Sequence, residues 1–177
     1  MTTPSIHDAR TIFFHWACAA LIIVLWGLGQ TIDWFPKDTP RIMARSTHIA
    51  LGALLAVLLV ARLQWRRSGA NHLPPAIDGT MGRVATGVHH LLYVLTVAAV
   101  VVGIAAVWIR GDNLFNLVQI ASIAPDDKVL RRNVVGIHEW FANGLLILAA
   151  LHAISALWHH FVVKDDVLNR MLACGRK

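Results

Sequence analysis

Four long apolar blocks divide the chain, at about residues 11–29, 47–63, 88–109 and 135–163, and the segments between them hold nearly all of the Lys, Arg, Asp and Glu. A helix needs about 20 apolar residues to cross the hydrocarbon core of a bilayer, so each block predicts a transmembrane helix. The second is short, but extends at both ends if Arg45 and Arg62 carry their charged heads toward water. The connectors contain readable stops. Trp34-Phe35-Pro36 places an aromatic pair at an interface just before a helix breaker, and Pro74-Pro75 sits in a glycine-containing turn region over 66–86. The connector over 110–133 is longer, and its stretch 114–124 is expected to lie along the membrane surface as an amphipathic segment. With no internal repeat and a short polar tail, the pattern predicts one domain over 1–177. The expected fold is an all-α membrane protein, an antiparallel four-transmembrane-helix bundle.

Composition sharpens this picture. The 177 residues are 56% hydrophobic and 15% charged, with a mean hydropathy of +0.58, whereas soluble domains carry about 25% charged residues. The net charge of +6 does not point to nucleic acid, because the basic residues sit in short connectors and form no basic face. Cys18 and Cys174 make neither a disulfide framework nor a CxxC metal site. The absence of CxxCH means that any haem is held by ligation alone. The first block is long enough to span and ends without a small-residue cleavage site, so it is expected to be retained. With the N-terminus inside, the inner segments carry nine Lys and Arg and the outer loops seven. The positive-inside rule thus places both termini in the cytoplasm by a small margin.

Histidines supply the candidate chemistry. Strongly polar side chains are costly within a bilayer and raise functional suspicion. His15 opens the first helix, His48 the second, His89 and His90 the third and His138 the fourth. His152 lies deep in the fourth, and His159 and His160 close it. His138 and His152 are fourteen residues apart, about 21 Å along the axis and nearly on one face. In an antiparallel bundle, His138 is level with His48, and His152 is level with His15. His89 shares that second level, so depth alone leaves it open as a ligand.

Two imidazoles at each of two levels suit a b-type haem, whose bis-histidine iron is six-coordinate and leaves no open position. Zinc calls for three or four ligands, and a proton relay would be expected to use carboxylates, of which Glu139 at the edge of a span is the only one. Ala149, Ala153 and Ala156 around His152, with Gly144 and Gly52, leave room for a flat ring. The same small residues also suit packing between helices, including a homodimer contact.

The stretch His138-Glu139-Trp140 through Asn143, His152, His159-His160-Phe161 and Lys164-Asp165 to Leu168-Asn169-Arg170-Met171 resembles the fourth helix of the bacterial cytochrome b561 family. Phe14-His15-Trp16, the spacing of His48 and Gly52, and Arg110-Gly111 resemble it too. This resemblance, which covers essentially the whole chain, implies a bundle enclosing two b-type haems. His15 and His152 would hold the inner haem and His48 and His138 the outer one, with His89 beside the inner haem. Short members of this kind resemble superoxide oxidase, which implies oxidation of periplasmic superoxide and delivery of electrons to ubiquinone in the bacterial inner membrane. Arg41, Arg45, Arg131 and Arg132 are then expected near the outer haem, steering an anion, neutralising propionates or anchoring lipid. The alternative is a non-catalytic cytochrome b subunit that passes electrons between quinone and a hydrogenase or dehydrogenase. No catalytic residue is assigned, and for protons to the quinone His89, His159 and His160 are candidates.

Overall fold

The structure is a computed structural model that describes residues 6–70, 73–77 and 79–172. Four long helices dominate it: α1 (Ala9–Thr31), α2 (Thr39–Ser68), α3 (Gly79–Arg110) and α4 (Lys128–Trp158). All four are long and apolar enough to cross a membrane, the last together with the turn that continues it to Val163. Each outruns its expected span. Apolar windows mark only the part lying in hydrocarbon, whereas Arg, Gln and Leu propagate a helix well beyond it. Arg41 and Arg45 therefore lie inside α2, not in a loop, and that connector shrinks to residues 32–38.

The helix ends follow from local chemistry. The Asp8 side chain caps α1 by accepting from the Thr11 N–H at 2.9 Å. The same carboxylate accepts from Trp65 Nε1 at 3.0 Å, joining the start of α1 to the end of α2. Pro40 stands in the first turn of α2, where its missing N–H costs nothing. Asp127 caps α4 through the Leu130 N–H at 2.8 Å.

The long connector differs from expectation. Rather than an amphipathic segment lying along the surface, residues 113–119 form a two-stranded antiparallel ribbon, β1 (Asn113–Leu114) against β2 (Val118–Gln119). Its turn places Phe115 and Asn116 both at positive φ, 55° and 57°. Such a turn suits the twist of paired strands, and Asn tolerates it, but a bulky Phe does so at a cost. Ser46 of α2 offsets that cost. It is fully buried, accepts from the Phe115 N–H at 2.8 Å and donates to the Asn113 carbonyl at 3.2 Å.

The helices pack as two hairpins, α1 on α2 and α3 on α4, with sparser contact between the hairpins. A small core of Cys18, Leu25 and Leu55 lies mainly between α1 and α2 and reaches Val100 of α3. Cys18 is a free thiol, and Cys174 lies outside the described residues. In α4 only Leu145 is buried. Ile23, Val57, Val94, Val101, Ile147 and Ile154 are each more than half exposed, a distribution that fits lipid and not water. Trp34, Trp108 and Trp140 lie toward the end carrying the α1–α2 and α3–α4 connectors, here the two-loop face, while Trp16 and Trp158 lie toward the opposite, terminal face. These are the positions of interfacial aromatic belts.

Candidate functional site

The antiparallel arrangement brings the histidines into two groups. Toward the two-loop face, His48 of α2 and His138 of α4 face each other with ring centroids 6.1 Å apart and planes at 83°. Toward the terminal face, His15 of α1 and His152 of α4 are 6.4 Å apart at 73°. His89 of α3 joins the second group, 5.2 Å from His152. Two imidazoles bonded on opposite sides of one metal ion, each at about 2.0–2.1 Å, have centroids roughly 6–6.5 Å apart. Both cross-hairpin pairs match that span, and the His89–His152 contact is too short for it.

Each ring is held differently. His138 Nδ1 donates to the Ala99 carbonyl of α3 at 2.9 Å, so the hydrogen sits on Nδ1 and Nε2 keeps its lone pair. His48 Nδ1 is buried and makes no hydrogen bond to the protein. His15 Nδ1 instead faces the Arg62 guanidinium at 3.2 Å. Guanidinium only donates, so this ring carries its hydrogen on Nε2. Ligation through Nε2 therefore requires the His15 ring to turn or Arg62 to withdraw. Arg62 also lies over the Tyr93 ring at 5.1 Å.

Space is open beside two of the small residues. A Cβ added at Gly52 or Gly144 would meet nothing within 4 Å. Two further glycines, which the sequence did not single out, touch the histidines directly. A Cβ at Gly103 would stand 3.0 Å from His138 Cε1, and one at Gly29 would stand 3.4 Å from His48 Cε1.

The arginines of the two-loop face are unequal. Arg41 is engaged with Asp33 at 3.3 Å and with the Phe35 carbonyl at 2.7 Å. Arg110 grips the buried Asp112 with two nitrogens. Arg45 reaches the same carboxylate only at 3.8 Å, and its Nε is buried without a partner. Arg131 donates to the Pro125 carbonyl at 3.2 Å, yet its Nε is also buried and unpartnered. Arg132 is exposed. Arg45 lies one turn above His48, and Arg131 two turns above His138 on nearly the same face. Unsatisfied guanidinium donors above a histidine pair fit a group bearing carboxylates, as a haem does.

At the terminal face, α4 continues into a π-helical turn, His159–Val163. His159 Nδ1 donates to Asp165 at 2.5 Å, and His160 packs edge-on against Phe161. His90 is exposed and bonds the Thr86 carbonyl one turn back.

Comparison with known proteins decides the family. The model for prokaryotic cytochrome b561 matches residues 6–173. The chain belongs to the prokaryotic cytochrome b561 family. Relatives of this family member include cytochrome b561 homolog 1 of Escherichia coli, 31% identical over 168 residues, covering 91% of this chain and 93% of that protein. A probable superoxide oxidase, CybB, of Yersinia pestis is 28% identical, covering 94% of this chain and 95% of its own. Cytochrome b562 of Cereibacter sphaeroides is 29% identical, covering 97% and 98%. As a cytochrome b561 family member, the chain is a multi-pass bacterial membrane protein of electron transfer, and the family implies binding of b-type haem.

Proposed function

We propose that this cytochrome b561 family protein binds two b-type haems and oxidises superoxide at the two-loop face, delivering the electrons to ubiquinone. His48 and His138 would hold one haem, and His15 and His152 the other. The observation that carries this reading is the pair of cross-hairpin histidine contacts, at 6.1 and 6.4 Å, stacked at two depths of one bundle. His89 is then a neighbour of the second pair, placed to bond a propionate or a quinone. When bound, the haems supply one-electron chemistry linking the two faces of the membrane.

The protein's own groups attend to the anion. Two superoxide anions lose one electron each and leave as O₂, while one ubiquinone takes up both electrons and two protons. Arg45 and Arg131, with donors unspent on protein acceptors, raise the local concentration of a small anion above the His48–His138 pair. The proposal sets the two-loop face toward the periplasm and both termini toward the cytoplasm, in line with the charge count. The probable superoxide oxidase among the relatives supports the choice of donor over a partner subunit.

The test is direct. Superoxide is added to oxidised, purified protein with ubiquinone present. The expected result is rapid appearance of the reduced α-band followed by ubiquinol. Haems that stay oxidised, or become reduced without forming quinol, refute the oxidase reading.

A further inference from the structure

The two histidines nearer the two-loop face share a feature that the other pair lacks: each packs on a glycine of the preceding helix in its own hairpin. His138 of α4 lies on Gly103 of α3, and His48 of α2 lies on Gly29 of α1. For His138, the carbonyl one helical step back from the glycine, at residue i−4, faces the ring: that of Ala99.

The geometry explains why glycine is needed. In an α-helix the residue 99 carbonyl already accepts the N–H of residue 103. A carbonyl oxygen has two lone pairs, so it can accept a second donor provided that donor approaches from the side. The side available here is the one on which residue 103 would carry its Cβ. That Cβ would lie 3.0 Å from His138 Cε1 and 3.2 Å from Nδ1, tight enough that the ring would have to give way by a few tenths of an ångström. Glycine opens the approach, and the 2.9 Å bond to Ala99 results.

We propose that Gly103 with the Ala99 carbonyl is a seat that sets the ring plane and tautomer of His138, and that Gly29 is a looser contact for His48. These are positioning residues. The seat keeps the hydrogen on His138 Nδ1, leaves the Nε2 lone pair free and would fix the rotation of the ring about a bond from Nε2 to a metal. His15, by contrast, answers to the Arg62 side chain, which can swing. The two levels therefore differ in how firmly their rings are oriented.

This inference rests on the ligand assignment proposed above, and the experiment separates the two. The readout is the low-spin ferric EPR spectrum of the purified holoprotein, which reports how two axial imidazole planes are turned against each other, together with the haem-to-protein ratio. Gly103→Ala is expected to move or remove one of two haem signals and leave the other in place. Gly29→Ala, with its wider 3.4 Å clearance, is expected to move the same signal by less. Gly87→Ala, on the same helix as Gly103 but with nothing within 4 Å of the added Cβ, is expected to change neither. Since alanine favours a helix over glycine, none of these changes weakens the helices themselves. If Gly103→Ala fails to accumulate in the membrane, Gly29→Val, whose larger side chain exceeds the 3.4 Å clearance to His48, carries the test, and an unmoved signal there overturns the seat. Equal shifts from Gly87→Ala and Gly103→Ala overturn it as well. A wild-type protein lacking two low-spin haems defeats the ligand reading itself. Two wild-type signals that Gly103→Ala leaves unmoved defeat only the seat.

Discussion

At the scale of single residues, the sharpest consequence is which histidines matter. His48→Ala and His138→Ala should each halve the haem-to-protein ratio, and so should His15→Ala and His152→Ala. His89→Ala should retain both haems, because its 5.2 Å contact with His152 is too short for a shared iron. Pyridine haemochrome analysis checks this, and loss of a haem from the His89 variant would reassign the ligand. A second residue-scale prediction concerns Ser46, whose buried hydroxyl holds the ribbon turn at Asn113 and Phe115. Ser46→Ala leaves a buried N–H unsatisfied, at a cost of about 1–3 kcal/mol. The melting temperature in detergent should fall, and an unchanged value would mean that the turn holds by itself. The histidines were legible in the sequence because a polar side chain stands out in an apolar block, and the rise of a helix alone gives its depth. Gly29, Gly103 and Ser46 were not. Their roles depend on which surface of a neighbouring helix they meet, and a one-dimensional pattern does not carry that.

At the scale of elements, hydropathy located all four helices but underestimated their lengths, since charged turns beyond the hydrocarbon look like loop. The ribbon was hidden for another reason: its left-handed turn residues are Phe115 and Asn116, not the Asn-Gly or Asp-Gly pair that marks such turns. The π-helical turn at the end of α4 was equally unmarked, and it sets up a pH effect. It presents His159 to Asp165, and the segment beyond is tied to the bundle by Trp16 Nε1 donating to the Met171 carbonyl at 2.9 Å and by Arg170 donating to the Pro74 carbonyl at 2.7 Å. Burial alone would raise the Asp165 carboxyl, but the bonds from His159 and the Val167 N–H, with the charges of His159 and Arg170, outweigh it and hold it below the usual carboxylate range. A carboxyl depressed on folding stabilises the fold above its unfolded value of about 3.9, and the contribution is lost as pH falls through the folded value. Asp165→Asn should therefore lower the melting temperature at about pH 7 by roughly one to three degrees, as for a partly exposed ion pair. The gap between variant and wild type should narrow as the pH falls below about 3.9 and close once it has passed through the lowered folded value. A gap of constant size across that range would show that the carboxylate charge plays no part.

For the whole molecule, the question is what the uneven distribution of free positive charge accomplishes. Simple counting puts seven basic residues on the two-loop side, but Arg41 and Arg110 are engaged by Asp33 and Asp112. Arg45 and Arg131 are the two whose Nε atoms are buried without a protein acceptor, and both stand above the His48–His138 pair. An anionic substrate reaching that pair should thus feel these two most strongly. Steering of this kind raises encounter rates by about 10-fold to 1,000-fold and fades with ionic strength. Replacing both Arg45 and Arg131 with Gln should slow haem reduction by superoxide roughly tenfold at low salt. The variant should also flatten the dependence of that rate on ionic strength. Arg41→Gln, which removes a charge already paired, should change the rate far less. Stopped-flow measurement across a salt series checks all three together. Equal losses from the Arg41 and the Arg45/Arg131 variants would mean that only net charge matters. If the wild-type chain reacts with superoxide slowly at every salt concentration, the face serves a peripheral protein partner instead, and the non-catalytic reading replaces the oxidase one.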